Sequence, residues 1–126
     1  MDLVVFLHSH LRFVILFVAI IGIVKTLIAL SQKSEPAKFD QILGAIFVHL
    51  YDLQALLGIL IIFLGGLRAV IHPIVMFIGL VMAHWLNIQT RKAQGANANL
   101  TRLGLYVIPL MIILFGLAII GQLRLF

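Results

Sequence analysis

Four long apolar segments divide this chain, at about 3–30, 42–64, 73–90 and 103–121. Each is close to or above the length of ~18 residues at which an apolar run indicates a membrane-spanning helix. Lipid offers no partner for backbone N–H and C=O groups, so such segments must satisfy these groups internally, as helices do. The sequence therefore predicts an all-α fold: an integral membrane four-helix up-down bundle, with residues 1–126 forming a single transmembrane domain.

The composition agrees with a membrane protein and excludes other classes. The chain is 63% hydrophobic and 10% charged, against roughly 45–50% and about 25% in soluble domains. Disorder requires low hydrophobicity and high charge, and a chain without cysteine has neither disulfides nor thiolate metal sites. The net charge of +5 lies at the ends of the apolar segments, so we expect a lipid bilayer and no nucleic acid as partner.

The positions of the basic residues predict the orientation, because cytoplasmic loops carry more Lys and Arg. The first and third connections with their adjoining helix ends hold Lys25, Lys33, Lys38, Arg91, Lys92 and Arg102. The opposite side holds Arg12, Arg68 and Arg124. We therefore expect both termini outside and the two longer connections in the cytoplasm, in a bacterial plasma membrane.

Residues near the segment ends have simpler expected roles. Asp40 is placed to cap the second helix, and either Asn99 or Thr101 is placed to cap the fourth. Tyr106 is expected in the aromatic belt at the membrane boundary. Lys25 is expected to extend its ammonium group to the membrane surface.

The few polar residues inside the apolar segments are the candidate functional residues. An ionisable group at the bilayer centre costs about 2.5–3.5 kcal/mol on insertion scales, so we expect these groups to face the bundle interior and to have partners. They are His8, His10, Arg12, His49, Asp52, Gln54 and His84, with His72 at the start of the third segment.

The five histidines fall into two layers. At about 1.5 Å of rise per residue, His49 and His84 lie at matching depth on adjacent antiparallel helices. Asp52 lies one turn beyond His49 on nearly the same face. The second layer, on the opposite side of the membrane, contains His8, His10 and His72.

Two layers of histidine in a four-helix membrane bundle are typical of b-type haem binding. Axial ligation needs a neutral imidazole on each face of the porphyrin, supplied by facing helices. The candidate iron ligands are His8, His72, His49 and His84, with His10 as a further cofactor-binding candidate. The propionates need a positive rim, for which Arg12 and Arg68 are the candidates. His72 and His84 are turned by about 120° from each other at 3.6 residues per turn, which favours one haem over two sharing that helix.

Glycines at heptad spacing have two interpretations. Gly44, Gly58 and Gly65 in the second segment are separated by multiples of seven. Such glycines can let a helix backbone approach a flat ring, but close helix packing is their more common role.

Short motifs add a resemblance. The stretches LHSHLR at 7–12, DLQ at 52–54, LLG at 56–58 and HP at 72–73 resemble a group of small four-span bacterial membrane proteins labelled cytochrome b-like. The resemblance covers most of the chain and implies His8 and His72 as the favoured ligand pair. Phe13 stands where that group usually has Trp. Asp52 stands where the group can have histidine, so the resemblance implies no ligand at that inner position.

Three functions follow from these residues. The first is haem-linked electron transfer, with quinone or a larger membrane complex as partner. The second is a non-catalytic subunit or assembly factor of such a complex, since the chain has almost no loops in which to recognise a substrate. The third is a proton or metal-ion pathway through His49, Asp52, Gln54 and His84, which would require a homo-oligomer because four spans are few. The sequence has neither a nucleophile elbow nor a glycine-rich phosphate loop beside a strand.

Overall fold

The computed structural model describes residues 2–34, 37–64, 71–93 and 96–119. In these ranges the chain forms four helices, α1 (Asp2–Ser31), α2 (Lys38–Phe63), α3 (Ile71–Lys92) and α4 (Ala96–Ile119), and no strand. Each helix is long and apolar enough to cross a membrane, with a mean hydropathy between 1.6 and 2.8 over its most apolar window. The predicted all-α four-helix bundle is confirmed, and the chain is a multi-pass membrane protein.

The helices pack in chain order around a ring, so that α1 lies diagonally opposite α3. The contact of α3 with α4 is the most extensive, and that of α2 with α3 is the least. Successive helices run antiparallel, which gives the bundle two ends. The loop end contains the end of α1, the start of α2, the end of α3 and the start of α4. The terminal end contains the start of α1, the end of α2, the start of α3 and the end of α4.

The core lies between the helices and is built around aromatic rings. The rings of Phe47 and Tyr106 meet edge to face with their centroids 5.2 Å apart, and Phe47 makes a similar contact with Tyr51. Small residues such as Ala19 and Ala83 let the helices approach this cluster. Large apolar side chains cover the outer faces of the helices, as lipid contact requires.

The start of α2 differs from the sequence-based prediction. The helix begins at Lys38 instead of 42, with Ala37 as its N-cap residue. Asp40 is the third helical residue, and its Oδ2 accepts the N–H of Ala37 at 2.7 Å. Asp40 therefore caps the helix from inside the first turn, where a carboxylate also interacts favourably with the helix dipole.

The start of α4 also differs, and the prediction that Asn99 or Thr101 caps it is wrong. The helix begins at Ala96 instead of 103. The side-chain amide of Asn99 donates to the carbonyl of Ser34 at 2.7 Å, so it joins α4 to the α1–α2 connection. Hydropathy alone placed the start too late, since polar residues can continue a helix wherever other groups satisfy their side chains. The predicted end of the fourth segment at 121 lies outside the described residues, and the remaining boundaries agree within two residues.

Candidate functional site

His8 lies at the terminal end and is held by α2. Its Nδ1 is 3.2 Å from the backbone carbonyl oxygen of Gln54, and the Gln54 side-chain amide donates to the His8 carbonyl at 2.8 Å. Gly58 makes room for the ring, because a Cβ there would lie 3.3 Å from Cε1 of His8. A carbonyl only accepts hydrogen bonds, so Nδ1 carries the proton. In the neutral ring Nε2 then has a free lone pair.

His72 has the same arrangement on the opposite pair of helices. Its Nδ1 is 3.1 Å from the backbone carbonyl oxygen of Gly116 in α4. The carbonyl again requires the proton on Nδ1 and leaves Nε2 as the acceptor of the neutral ring. Met76, one turn further along α3, packs against Gly116. The two histidines are therefore fixed by the same kind of contact, each from a neighbouring helix.

His8 and His72 belong to diagonally opposite helices at the same end of the bundle. A histidine that binds a metal usually donates its other ring N–H to a carbonyl or carboxylate, as both do here. In the described residues no three His, Cys, Asp or Glu side chains form a metal-binding group. His8 and His72 therefore stay the candidate ligand pair of this layer.

The other candidates of this layer have different surroundings. His10 is exposed on the outside of α1, where its Nδ1 is 2.8 Å from the carbonyl oxygen of Phe6 and its ring stacks on the Phe6 ring. The Arg12 guanidinium lies 5.0 Å from the centroid of the Phe13 ring. Arg68 lies outside the described residues.

A second cluster lies halfway along α2 and α3. One carboxylate oxygen of Asp52 is 2.6 Å from Nε2 of His84, and the other is 3.6 Å from Nδ1 of His49. At about 1.5 Å per residue, Asp52 is roughly 21 Å from the start of α2 and 16 Å from its end. The three residues predicted to lie at similar depth are thus brought together in the middle of the membrane-spanning region.

This central cluster faces outward, so the expectation that it faces the bundle interior is wrong. The side chains of His49, Asp52 and His84 are 78%, 39% and 47% exposed. The interior at this level is filled by the buried side chains of Phe47 and Tyr51, which leaves the opposite side of α2 for the polar residues.

Gln54 does not belong to the central cluster. It is two residues after Asp52, which turns it by about 200° around the helix, and its side chain bonds to the His8 carbonyl instead. The predicted polar group of His49, Asp52 and Gln54 is therefore divided between two sites. Among the described residues, the hydrogen-bonded cluster ends at Asp52 and does not continue toward the terminal end through Gln54.

A network of charged residues at the loop end was missed by the sequence analysis. Arg102, only 2% exposed, donates from Nη1 to the backbone carbonyl of Asp40. The Asp40 carboxylate pairs with Lys25 at 2.6 Å. Lys25, expected to extend to the membrane surface, therefore turns toward α2. Arg102, counted as a basic residue of a loop, lies inside the bundle.

Tyr106 is also buried, which makes its predicted place in the aromatic belt wrong. Its ring lies against Gly22 of α1. Its hydroxyl is beside the Arg102 guanidinium without reaching hydrogen-bond geometry, and Arg102 Nε has no hydrogen-bond partner in the described part of the chain. The spacing 99, 102 and 106 puts these polar residues on one helix face. That signal is visible only if the helix begins before 103.

The glycines of the bundle accommodate side chains from neighbouring helices. Gly44 faces Arg102, Gly58 faces the His8 ring, and Gly79 faces the Tyr51 hydroxyl. The packing interpretation therefore describes Gly44 and Gly58, while Gly65 lies outside the described residues. At Gly58 the side chain that is accommodated is itself a candidate ligand.

Comparison of the chain with protein-family models, with curated proteins and with solved structures found no match. The resemblance to the cytochrome b-like group therefore stays a prediction based on short motifs. Function has to be inferred from the side chains that the fold brings together.

Proposed function

We propose that this protein binds one b-type haem at the terminal end of the bundle and exchanges electrons within the membrane. His8 and His72 would hold its iron. One observation carries the proposal: two imidazoles on diagonally opposite helices each bond through Nδ1 to a backbone carbonyl, which leaves Nε2 available for iron.

The surroundings of the two histidines fit this group. The bonds from Nδ1 to carbonyl oxygens fix the orientation of each ring and make Nε2 a stronger donor to a metal. Gly58 gives the His8 ring room beside α2. Arg12, one helical turn after His8 on α1, is the candidate partner of a propionate, because guanidinium and carboxylate groups form strong charge-assisted hydrogen bonds.

The ligand set favours electron transfer over substrate chemistry. A haem iron with two histidine ligands exchanges single electrons, since no coordination position is left for a substrate. The chain contributes the two ligands, their fixed tautomers and a site inside the span. Its redox partner is then a lipid-soluble quinone or another membrane protein, because the described residues form only transmembrane helices and short connections.

Absorption spectra of the detergent-purified protein from haem-supplied cells test the proposal. We expect a Soret band and a b-type α band in the reduced protein, both lost in His8→Ala and in His72→Ala. His10→Ala is the matched control, because this histidine belongs to the same helix but faces outward. A colourless wild-type protein contradicts haem binding. Retention of the bands in both ligand variants, with loss in His49→Ala or His84→Ala, contradicts the ligand assignment.

We propose further that both termini face outward from a bacterial plasma membrane. Support comes from the basic residues of the loop end, of which Lys33, Lys38, Arg91 and Lys92 are exposed. The cysteine-free chain permits a direct test by single cysteines. A membrane-impermeant thiol reagent on intact spheroplasts should label Leu3→Cys, and should label Ser34→Cys only after permeabilisation. The reverse pattern contradicts this orientation.

A further inference from the structure

We propose that the outer face of α2 beside α3, which carries the central cluster of His49, Asp52 and His84, is the contact surface between two copies of this chain. This inference is independent of haem binding. It rests on the position of the cluster, on the pattern of exposed residues along α2 and on the chemistry of the three side chains.

The position of the cluster calls for a covering surface. His49 and Asp52 lie near the middle of α2, and His84 lies at the same level of α3. Their side chains point away from their own bundle, with His49 78% exposed. Ionisable groups at membrane depth almost always face protein or a water-filled cavity, because lipid cannot solvate them. In a single copy of the bundle, the cluster would instead face lipid.

Seven of the exposed residues of α2 form a continuous heptad seam. They recur at alternating intervals of four and three residues, the spacing at which two helices pack along a shared seam. The seam consists of Ile42, Ile46, His49, Leu53, Leu56, Leu60 and Phe63. His49 is its single polar member. One polar residue in an otherwise apolar seam specifies register and the number of helices that associate.

The cluster is complementary to itself. It combines one carboxylate with two imidazoles, so a two-fold axis can bring the acid of each copy to a histidine of the other. Asp52 is already bound to His84, while Nδ1 of His49 is 3.6 Å from the nearer carboxylate oxygen, beyond a good hydrogen bond. We infer that His49 bonds to Asp52 of the partner subunit. Polar side chains of this kind stabilise helix pairs in membranes, where apolar surface alone gives little driving force.

A second copy fits this face better than an unrelated partner. Any partner must offer an apolar heptad seam interrupted at the same depth by an acid and a base. A copy of α2, placed by a two-fold axis, provides that match without further assumptions. The most apolar stretches of α2 and α3 are the least buried of the four, at 22% each against 28% in α1 and 39% in α4, so these two helices have the most outer surface left for a neighbour.

Cysteine cross-linking in liposomes tests the interface. The chain has no cysteine of its own, so each variant carries one thiol. Leu53→Cys and Leu56→Cys place it on the seam. Phe17→Cys in α1 and Met111→Cys in α4 are the matched controls, since both are exposed and lie at about the depth of Leu53, roughly 21–22 Å from the loop end at 1.5 Å per residue.

With purified protein diluted in lipid and a mild oxidant, we expect disulfide-linked dimers from the seam cysteines at least fivefold above the controls. His49→Leu in the Leu53→Cys background should reduce the yield several-fold. Equal yields at seam and control positions would mean that this face contacts lipid, and would overturn the proposal. So would seam cysteines that cross-link to another protein in native membranes but not to each other in liposomes.

Discussion

The contact between Gly22 and Tyr106 allows a quantitative test of how tightly the bundle is packed. A Cβ atom built on Gly22 would lie 2.5 Å from Cε2 and 2.6 Å from Cε1 of the Tyr106 ring. Carbon atoms in contact are normally about 3.5–4.0 Å apart. Gly22→Ala therefore requires a displacement of about 1 Å between α1 and the ring. The ring is fully buried and also packs against Phe47, so it has no free direction in which to move.

Two opposing effects set the magnitude. An extra methyl group in a well-packed core costs about 1–3 kcal/mol, and we expect the upper part of that range because several atoms of a rigid ring are involved. Alanine is favoured over glycine in a helix by about 0.5–1 kcal/mol. The net expectation is that Gly22→Ala lowers the free energy of unfolding by about 1–2 kcal/mol. Removing the ring with Tyr106→Leu should abolish the clash, so the double variant should be more stable than additivity predicts.

Unfolding in mixed detergent micelles, followed by far-UV circular dichroism, measures these differences. Gly104→Ala is the matched control, since a Cβ there meets only Ile108 at an ordinary 3.7 Å. This control should be unchanged or slightly more stable. The reasoning is refuted if Gly22→Ala is as stable as Gly104→Ala, or if the Gly22→Ala and Tyr106→Leu effects are strictly additive.

Two further substitutions test neighbouring contacts in the same unfolding assay. Gly79→Ala places a methyl group against the Tyr51 hydroxyl and should cost about 1–3 kcal/mol. Adding Tyr51→Phe to Gly79→Ala should restore part of the lost free energy of unfolding, even though it removes the hydrogen bond to the Met76 carbonyl. A double variant less stable than Gly79→Ala would contradict this account. Asp40→Asn removes the charge that pairs with Lys25 and should cost about 1–3 kcal/mol, below the range for fully buried pairs because Lys25 is partly exposed. The double variant Asp40→Asn, Lys25→Met should lose less free energy of unfolding than the two single variants together. Strictly additive losses would show that the ion pair contributes nothing to stability.

The fold was predictable because membrane insertion depends on hydropathy, which can be summed along the chain. Runs of apolar residues show where the helices cross, and short connections require antiparallel neighbours. The starts of α2 and α4 were not predictable in the same way. At Asp40 and Asn99 the polar side chain is satisfied by a backbone group, Ala37 N–H or Ser34 carbonyl. Hydropathy contains no information about such partners.

The sequence predicted which residues form the candidate sites and at what depth they lie, but not the side of the helix from which their side chains project. The sequence identified His49, Asp52 and His84 as neighbours, and the structure joins them. Which side of α2 they occupy depends on how the aromatic residues fill the interior, and that packing has no simple sequence signal. For the same reason Arg102 was interpreted as a charge at the membrane surface. It is buried because its side chain crosses the interior to α2, where Gly44 leaves room for the guanidinium.

The location of the charged pair in α1 and α2 bears on how the chain enters a bilayer. Lys25 and Asp40 belong to the first helical hairpin, so these two helices can be inserted together with their opposite charges already neutralised. Arg102 follows on α4, which is synthesised after this hairpin, and its acceptor is a backbone carbonyl of the hairpin. The order of synthesis thus matches the order in which buried charges find partners. We expect the first hairpin to be stably integrated before α4 leaves the ribosome.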